Sequence, residues 1–202
     1  MGYMHMFYGV DLDRVQALFG SNDEAFVEDF LKAQAEELED NDAFFEDEIE
    51  EGDCPSSETA LREIVAGKIL HEGSPAMYGY VLKIICEHLG ESIMYDVYAV
   101  SDHPYKSQLA SSGPPIAIPD DPADFPDIGH LSIKDIPAEL QRIDAAPQKA
   151  KKSLVLSLIN WASKGMIARQ MDDDEAIEDM NAYRDTLKEA QSKNLSLVSF
   201  RH

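Results

Sequence analysis

With 202 residues, 39 acidic against 17 basic side chains and a formal net charge of -22, the chain is long enough to bury a core and too negative to hold nucleic acid or an anionic membrane. A hydrophobic fraction of 44 % excludes a chain disordered throughout, and two cysteines, Cys54 and Cys86, exclude a disulfide framework or a four-thiolate zinc site. The opening MGYMHMFYGV has no basic n-region and no cleavage site, and no apolar stretch reaches the length of a membrane span, so the expected compartment is the cytoplasm.

Tyr3 to Val10 is rich in aromatics and reads as a short strand. Asp11 then caps a brief helix with Val15, Leu18 and Phe19 inward and Gly20 as its stop. Ser21 and Glu24 form a capping-box pattern that opens a long helix, whose inward face is Phe26, Val27, Phe30, Leu31, Gln34 and Leu38. A second acidic helix follows, with Phe44, Phe45 and Ile49 inward, ending near Gly52. Residues 21 to 53 carry fifteen carboxylates and one base, Lys32. Leu61, Ile64 and Val65 mark another helix, closed by Gly67.

The segment SPAMYGYVLKIICEHLG predicts a central core helix, with Ser74 as cap, Pro75 in the first turn and Gly90 at the C-terminal cap. Ile93 to Val100 is mixed, readable as strand or irregular. Pro114, Pro115, Pro119, Pro122 and Pro126 fall between Ser111 and Gly129, which reads as a long proline-rich loop (111–129). Ile128 to Leu131 suits a strand and Ser132 to Ala145 a helix, with Pro137 near its first turn. Gln148 to about Arg169 predicts a second core helix whose charges, Lys149, Lys151, Lys152, Lys164 and Arg169, are all positive. A last helix runs to about Lys193, with Ile177, Met180, Tyr183 and Leu187 inward and Asn194 as its stop, and LSLVSF alternates as a strand. The expected architecture is α+β: a mainly helical single domain over residues 1–202, with a small sheet formed by the N- and C-terminal strands.

Four stretches, YGVDLDRVQALFGSNDE, YGYVLKIICEHLG, SSGPPIAIPDDPADFPDIGHLS and LVSF, resemble a family of uncharacterised bacterial proteins known only as a domain of unknown function. Against that family, residues 166–190 read as a variable extension. The architecture is also similar to that of YfbM-like bacterial proteins. These resemblances imply a bacterial, cytoplasmic α+β protein and carry no activity, substrate or catalytic residue.

Catalytic and metal-binding motifs fit poorly. Asp40, Asp42 and Glu51 fall at positions 1, 3 and 12 of an EF-hand, but Phe44 and Phe45 stand where an oxygen ligand and a glycine are required. His71-Glu72 and Glu87-His88 lack the second histidine of a zinc motif. Cys86 sits in an apolar helix and Cys54 among acids, both settings that suppress a thiolate. Neither a nucleophile elbow nor a phosphate-cradling glycine loop is present. The sequence therefore assigns no catalytic residue, no metal and no cofactor.

What remains is a surface. The expectation is a non-enzymatic protein whose acidic face, Glu28, Asp29, Glu36, Glu39, Asp40, Asp47 and Glu50, meets a basic partner protein, most concretely as an immunity-type protein neutralising a basic toxin. The alternative is an enzyme of unrecognised type, with Tyr78, Tyr80 and His88 lining a pocket beneath the proline-rich loop. The plain reading of the acids is a solvated surface.

Overall fold

A computed structural model describes residues 2–100, 112–121, 126–145 and 181–201, with side chains from Met6 to Ile93 in the first of these stretches. The predicted core helix Gln148–Arg169 and residues 166–180 of the predicted extension lie outside the described residues.

The two ends of the chain meet in the middle of one antiparallel sheet. Strand β1 (Gly2–Val10) pairs with β4 (Ser196–Arg201), Tyr8 opposite Val198 and Met6 opposite Phe200. The ambiguous stretch is strand β2 (Glu91–Val100), on the outer side of β1, and β3 (Asp127–Leu131) flanks β4, giving the order β2-β1-β4-β3. The sheet thus has two more strands than the terminal pair required.

Alternation along the central strands sends side chains to opposite faces. Tyr8, Val10, Val198 and Phe200 join the larger core, beneath helices α1 (Leu12–Leu18), α2 (Glu24–Ala33), α3 (Ala35–Phe44), α5 (Ser57–Ala66) and α6 (Pro75–Leu89). Phe7, Ile93, Leu131 and Leu197 join a second core with Ile136, Ile143, Tyr183 and Leu187 from helical segments 136–145 and 181–193. Helices therefore cover both faces of the sheet, an α+β arrangement in layers.

Local chemistry sets several helix ends. Asp11 accepts from the Arg14 N–H and Ser56 from the Thr59 N–H, while Gly52 and Gly67 close their helices in the left-handed conformation. Two expected ends differ. The cap of α2 is Asp23, which accepts from the Phe26 N–H at 3.0 Å, and Ser21 instead accepts from the Asp23 N–H. Gly90 is extended rather than left-handed (φ -134°, ψ -151°), and a methyl group there would collide with the Gly9 carbonyl of β1.

The expected long acidic helix breaks at Gln34 (φ -114°, ψ 23°), so α2 and α3 are separate. Unbroken, residues 24–44 would form a rod of about 30 Å running past the core. The break lets Phe30 and Leu38 both turn inward. Phe44 corrects the sequence reading: it is 72 % exposed, whereas Phe45 is buried. Successive side chains on a helix diverge by about 100°, and at the end of α3 that angle turns Phe44 outward while Phe45 faces the core. Phe45 also leads into α4 (Glu46–Glu51), an acidic turn with no buried residue.

The proline-rich segment is packed rather than loose where it is described. Ile116 and Ile118 belong to the larger core. The Ser112 hydroxyl accepts from the His130 N–H and donates to the His130 carbonyl, both at 2.6 Å, which ties the segment to β3. Its last three residues, 127–129, are already strand.

Candidate functional site

The seven acidic residues singled out in the sequence, Glu28, Asp29, Glu36, Glu39, Asp40, Asp47 and Glu50, are all exposed on α2, α3 and α4. Among the described residues only Glu28 has a cation: Arg62 of α5 reaches it at 3.2 Å, and Glu24 and Glu58 at 3.0 and 2.9 Å. The other six carboxylates form no ion pair with a described residue; α3 and α4 supply no base in their last turns, and Arg62 is shared among Glu24, Glu28 and Glu58.

Next to these free carboxylates lies a groove of about 300 Å³ between α3 and α6. Its apolar walls are Phe44, Tyr80 and Ile84, and its polar margin is Glu37, Asp40, Asn41 and Lys83. The Phe44 ring stands 4.9 Å from that of Phe45, edge to face, and 6.1 Å from that of Tyr80. Asn41 donates its amide nitrogen inward, to Ser57 Oγ at 2.8 Å and Met77 Sδ at 3.3 Å, and its side-chain oxygen accepts from no described residue. Lys83 is held along α6 by Glu87 at 3.7 Å. Sequence reasoning missed this groove, since it placed Phe44 in the core. The adjacent phenylalanines were the signal, because at the edge of an apolar face the roughly 100° between neighbours can leave one of them outside.

Tyr78, Tyr80 and His88, the expected pocket, point three ways. Tyr78 is fully buried and its hydroxyl donates to Glu63 of α5 at 2.5 Å. Tyr80 faces Phe44 and Phe45. His88 Nδ1 accepts from Gln34 Nε2 at 3.1 Å, and its ring stands edge-on to Phe26 and Phe30. The residue of α6 beneath the proline-rich segment is Gly79, where any side chain would strike Pro126. Ala76 likewise closes on Pro119 and Ile128, with no room for water. The structure does not bring the three side chains together.

The most developed polar cluster is buried at the α5–α6 connection. Glu63 accepts from the Tyr78 hydroxyl, from the Leu70 N–H at 2.7 Å and from His71 Nδ1 at 2.8 Å, and Tyr78 Oη in turn accepts from the His71 N–H. Burial alone would raise the Glu63 carboxyl; the Tyr78, Leu70 and His71 contacts outweigh it and hold it below its ordinary 4.5. Burial and the Glu63 hydrogen bond push the Tyr78 hydroxyl up, so it stays a donor. This cluster fixes the turn from Lys68 to Gly73.

The thiols behave as the sequence predicts. Burial raises Cys86, and burial with Glu48 and Asp42 raises Cys54 despite a hydrogen bond from Ser74. Among the described residues no group of three histidine, cysteine or carboxylate side chains is placed to hold a metal ion, and no helix is long and apolar enough to cross a membrane.

A family model described as a domain of unknown function, DUF7691, matches residues 1–202. No curated protein and no solved structure matches the chain.

Proposed function

The chain belongs to the DUF7691 family, whose description assigns no activity, and from its surface we propose a binding protein, not an enzyme, that meets a basic partner protein through α2, α3 and α4. The observation that carries this reading is the set of six exposed carboxylates, Asp29, Glu36, Glu39, Asp40, Asp47 and Glu50, without a cation among the described residues. Glu24, Glu28 and Glu58, by contrast, are engaged by Arg62. Exposed and crowded, the six carboxylates create a negative field that accelerates capture of a cationic partner. An immunity-type protein that neutralises a basic toxin is the most concrete form. Two free, buried cysteines suit the reducing cytoplasm as its place of action.

Stopped-flow association with oligolysine tests the reading. The association rate should fall steeply as salt rises, and the variant carrying Asp29→Asn, Glu36→Gln, Glu39→Gln, Asp40→Asn, Asp47→Asn and Glu50→Gln should associate at least about tenfold more slowly at low salt. A rate indifferent to both salt and these substitutions overturns it.

A further inference from the structure

We infer that the α3–α6 groove is an arginine-reading pocket, the place where a basic partner inserts one guanidinium; this rests on the proposed acidic interface and names what its centre recognises. Three features converge on that side chain. Phe44 is an aromatic ring left 72 % exposed beside a second aromatic wall, Tyr80. Glu37, Asp40 and Asn41 line the margin, and with the Asn41 amide nitrogen committed to Ser57 and Met77 its side-chain oxygen, which accepts from no described residue, is the group it offers to a ligand. A volume of about 300 Å³ takes a long side chain with room to spare. An apolar side chain would use the rings and leave the acceptors unpaired; a lysine would present a compact charge with no plane to stack. Arginine satisfies all of these at once: its stem lies on Ile84, its planar head stacks on the Phe44 ring, and its five N–H groups meet carboxylates and the amide oxygen.

Lys83 supplies the sharpest discrimination. It borders the groove at 16 % exposure and is only partly offset by Glu87. A groove that receives a cation works against Lys83, whereas a groove for a carboxylate or phosphate depends on it.

The full-length protein is titrated with oligoarginine, oligolysine and oligocitrulline peptides of equal length, and dissociation constants are measured at low salt. Oligoarginine should bind about fivefold tighter than oligolysine, and oligocitrulline not measurably. Phe44→Ala should weaken oligoarginine about fivefold and erase its advantage over oligolysine. Lys83→Met should strengthen oligoarginine about threefold by removing a like charge. Retention of the arginine advantage in Phe44→Ala, or weaker binding in Lys83→Met, overturns the pocket. A variant of the outer carboxylates, Glu36→Gln, Glu39→Gln, Asp47→Asn and Glu50→Gln, separates the two levels. If it abolishes binding while Phe44→Ala changes nothing, the acidic interface stands and the pocket falls. If neither cationic peptide binds the unaltered protein, the interface falls with it. Because Phe44 is exposed and Lys83 lies at a groove edge, far-UV circular dichroism should show both variants folded.

Discussion

Helices α3 and α6 pack on each other and are built in opposite ways. α6 buries eight of its fifteen residues, among them Met77, Tyr78, Val81, Leu82, Ile85 and Cys86. α3 buries only Leu38 and ends in an exposed Phe44. Burial is the main stabilising term in a fold, so α6 is framework and α3 is held in place by what lies beneath it. The same contrast separates the carboxylates. Glu63, beneath α6, accepts three hydrogen bonds in a buried cluster, while Glu36, Glu39 and Asp40 on α3 meet solvent. A carboxylate buried and hydrogen-bonded within the fold is out of a partner's reach; one left in solvent is not.

The largest expected effect falls on the framework side. Glu63→Ala removes the acceptor of the Tyr78 hydroxyl, the Leu70 N–H and His71, and should lower unfolding free energy by about 3 kcal/mol. Urea denaturation measures it; a loss below about 1 kcal/mol would mean that the buried cluster contributes no more than a surface contact.

Acid sensitivity sharpens the same contrast. The folded Glu63 carboxyl lies below its ordinary 4.5, so its stabilisation is fully present above that value and is lost as pH falls through the depressed folded one. Stability of the unaltered protein should therefore drop as pH falls below 4.5, and Glu63→Gln should flatten that drop. An identical acid limb in the variant would assign the drop to other carboxylates.

A smaller effect belongs to the acidic side. Repulsion among its exposed carboxylates is screened by salt, with a Debye length of about 10 Å at 0.1 M. Added salt at neutral pH should raise the melting temperature by roughly 2–4 °C, and neutralising Asp29, Glu36, Glu39, Asp40, Asp47 and Glu50 should remove the rise. A melting temperature that falls with salt would show these acids to be paired, and the contrast with Glu63 would disappear.

The smallest is at Phe44. Truncating so exposed a ring should change stability by no more than about 0.5 kcal/mol, against the larger change expected in binding. A stability loss of about 2 kcal/mol or more would make Phe44 a framework residue after all.

Much of this was legible from the chain. The spacing of Tyr78, Val81, Leu82, Ile85 and Leu89 marked α6 as a core helix, because a helix with almost no polar edge has nowhere else to lie. Alternation in LSLVSF and the aromatic opening marked the terminal strands, and β1 and β4 do pair. The charge of α2 to α4 was explicit, and so was its exposure, since carboxylates so dense stay in water. What the chain left open were the decisions made by neighbours that are distant in sequence. Glu91–Val100 became strand because β1 offered it an edge. Gly90 has no room for a side chain because the Gly9 carbonyl lies against it. The acidic helix breaks at Gln34, whose side chain turns to His88, 54 residues away. Periodicity reports which face of an element is apolar, and that much the sequence determined by itself. Only the tertiary structure could decide which of Phe44 and Phe45 the core had room for, because that depends on the path of α3 across α6, and with it whether a groove existed at all.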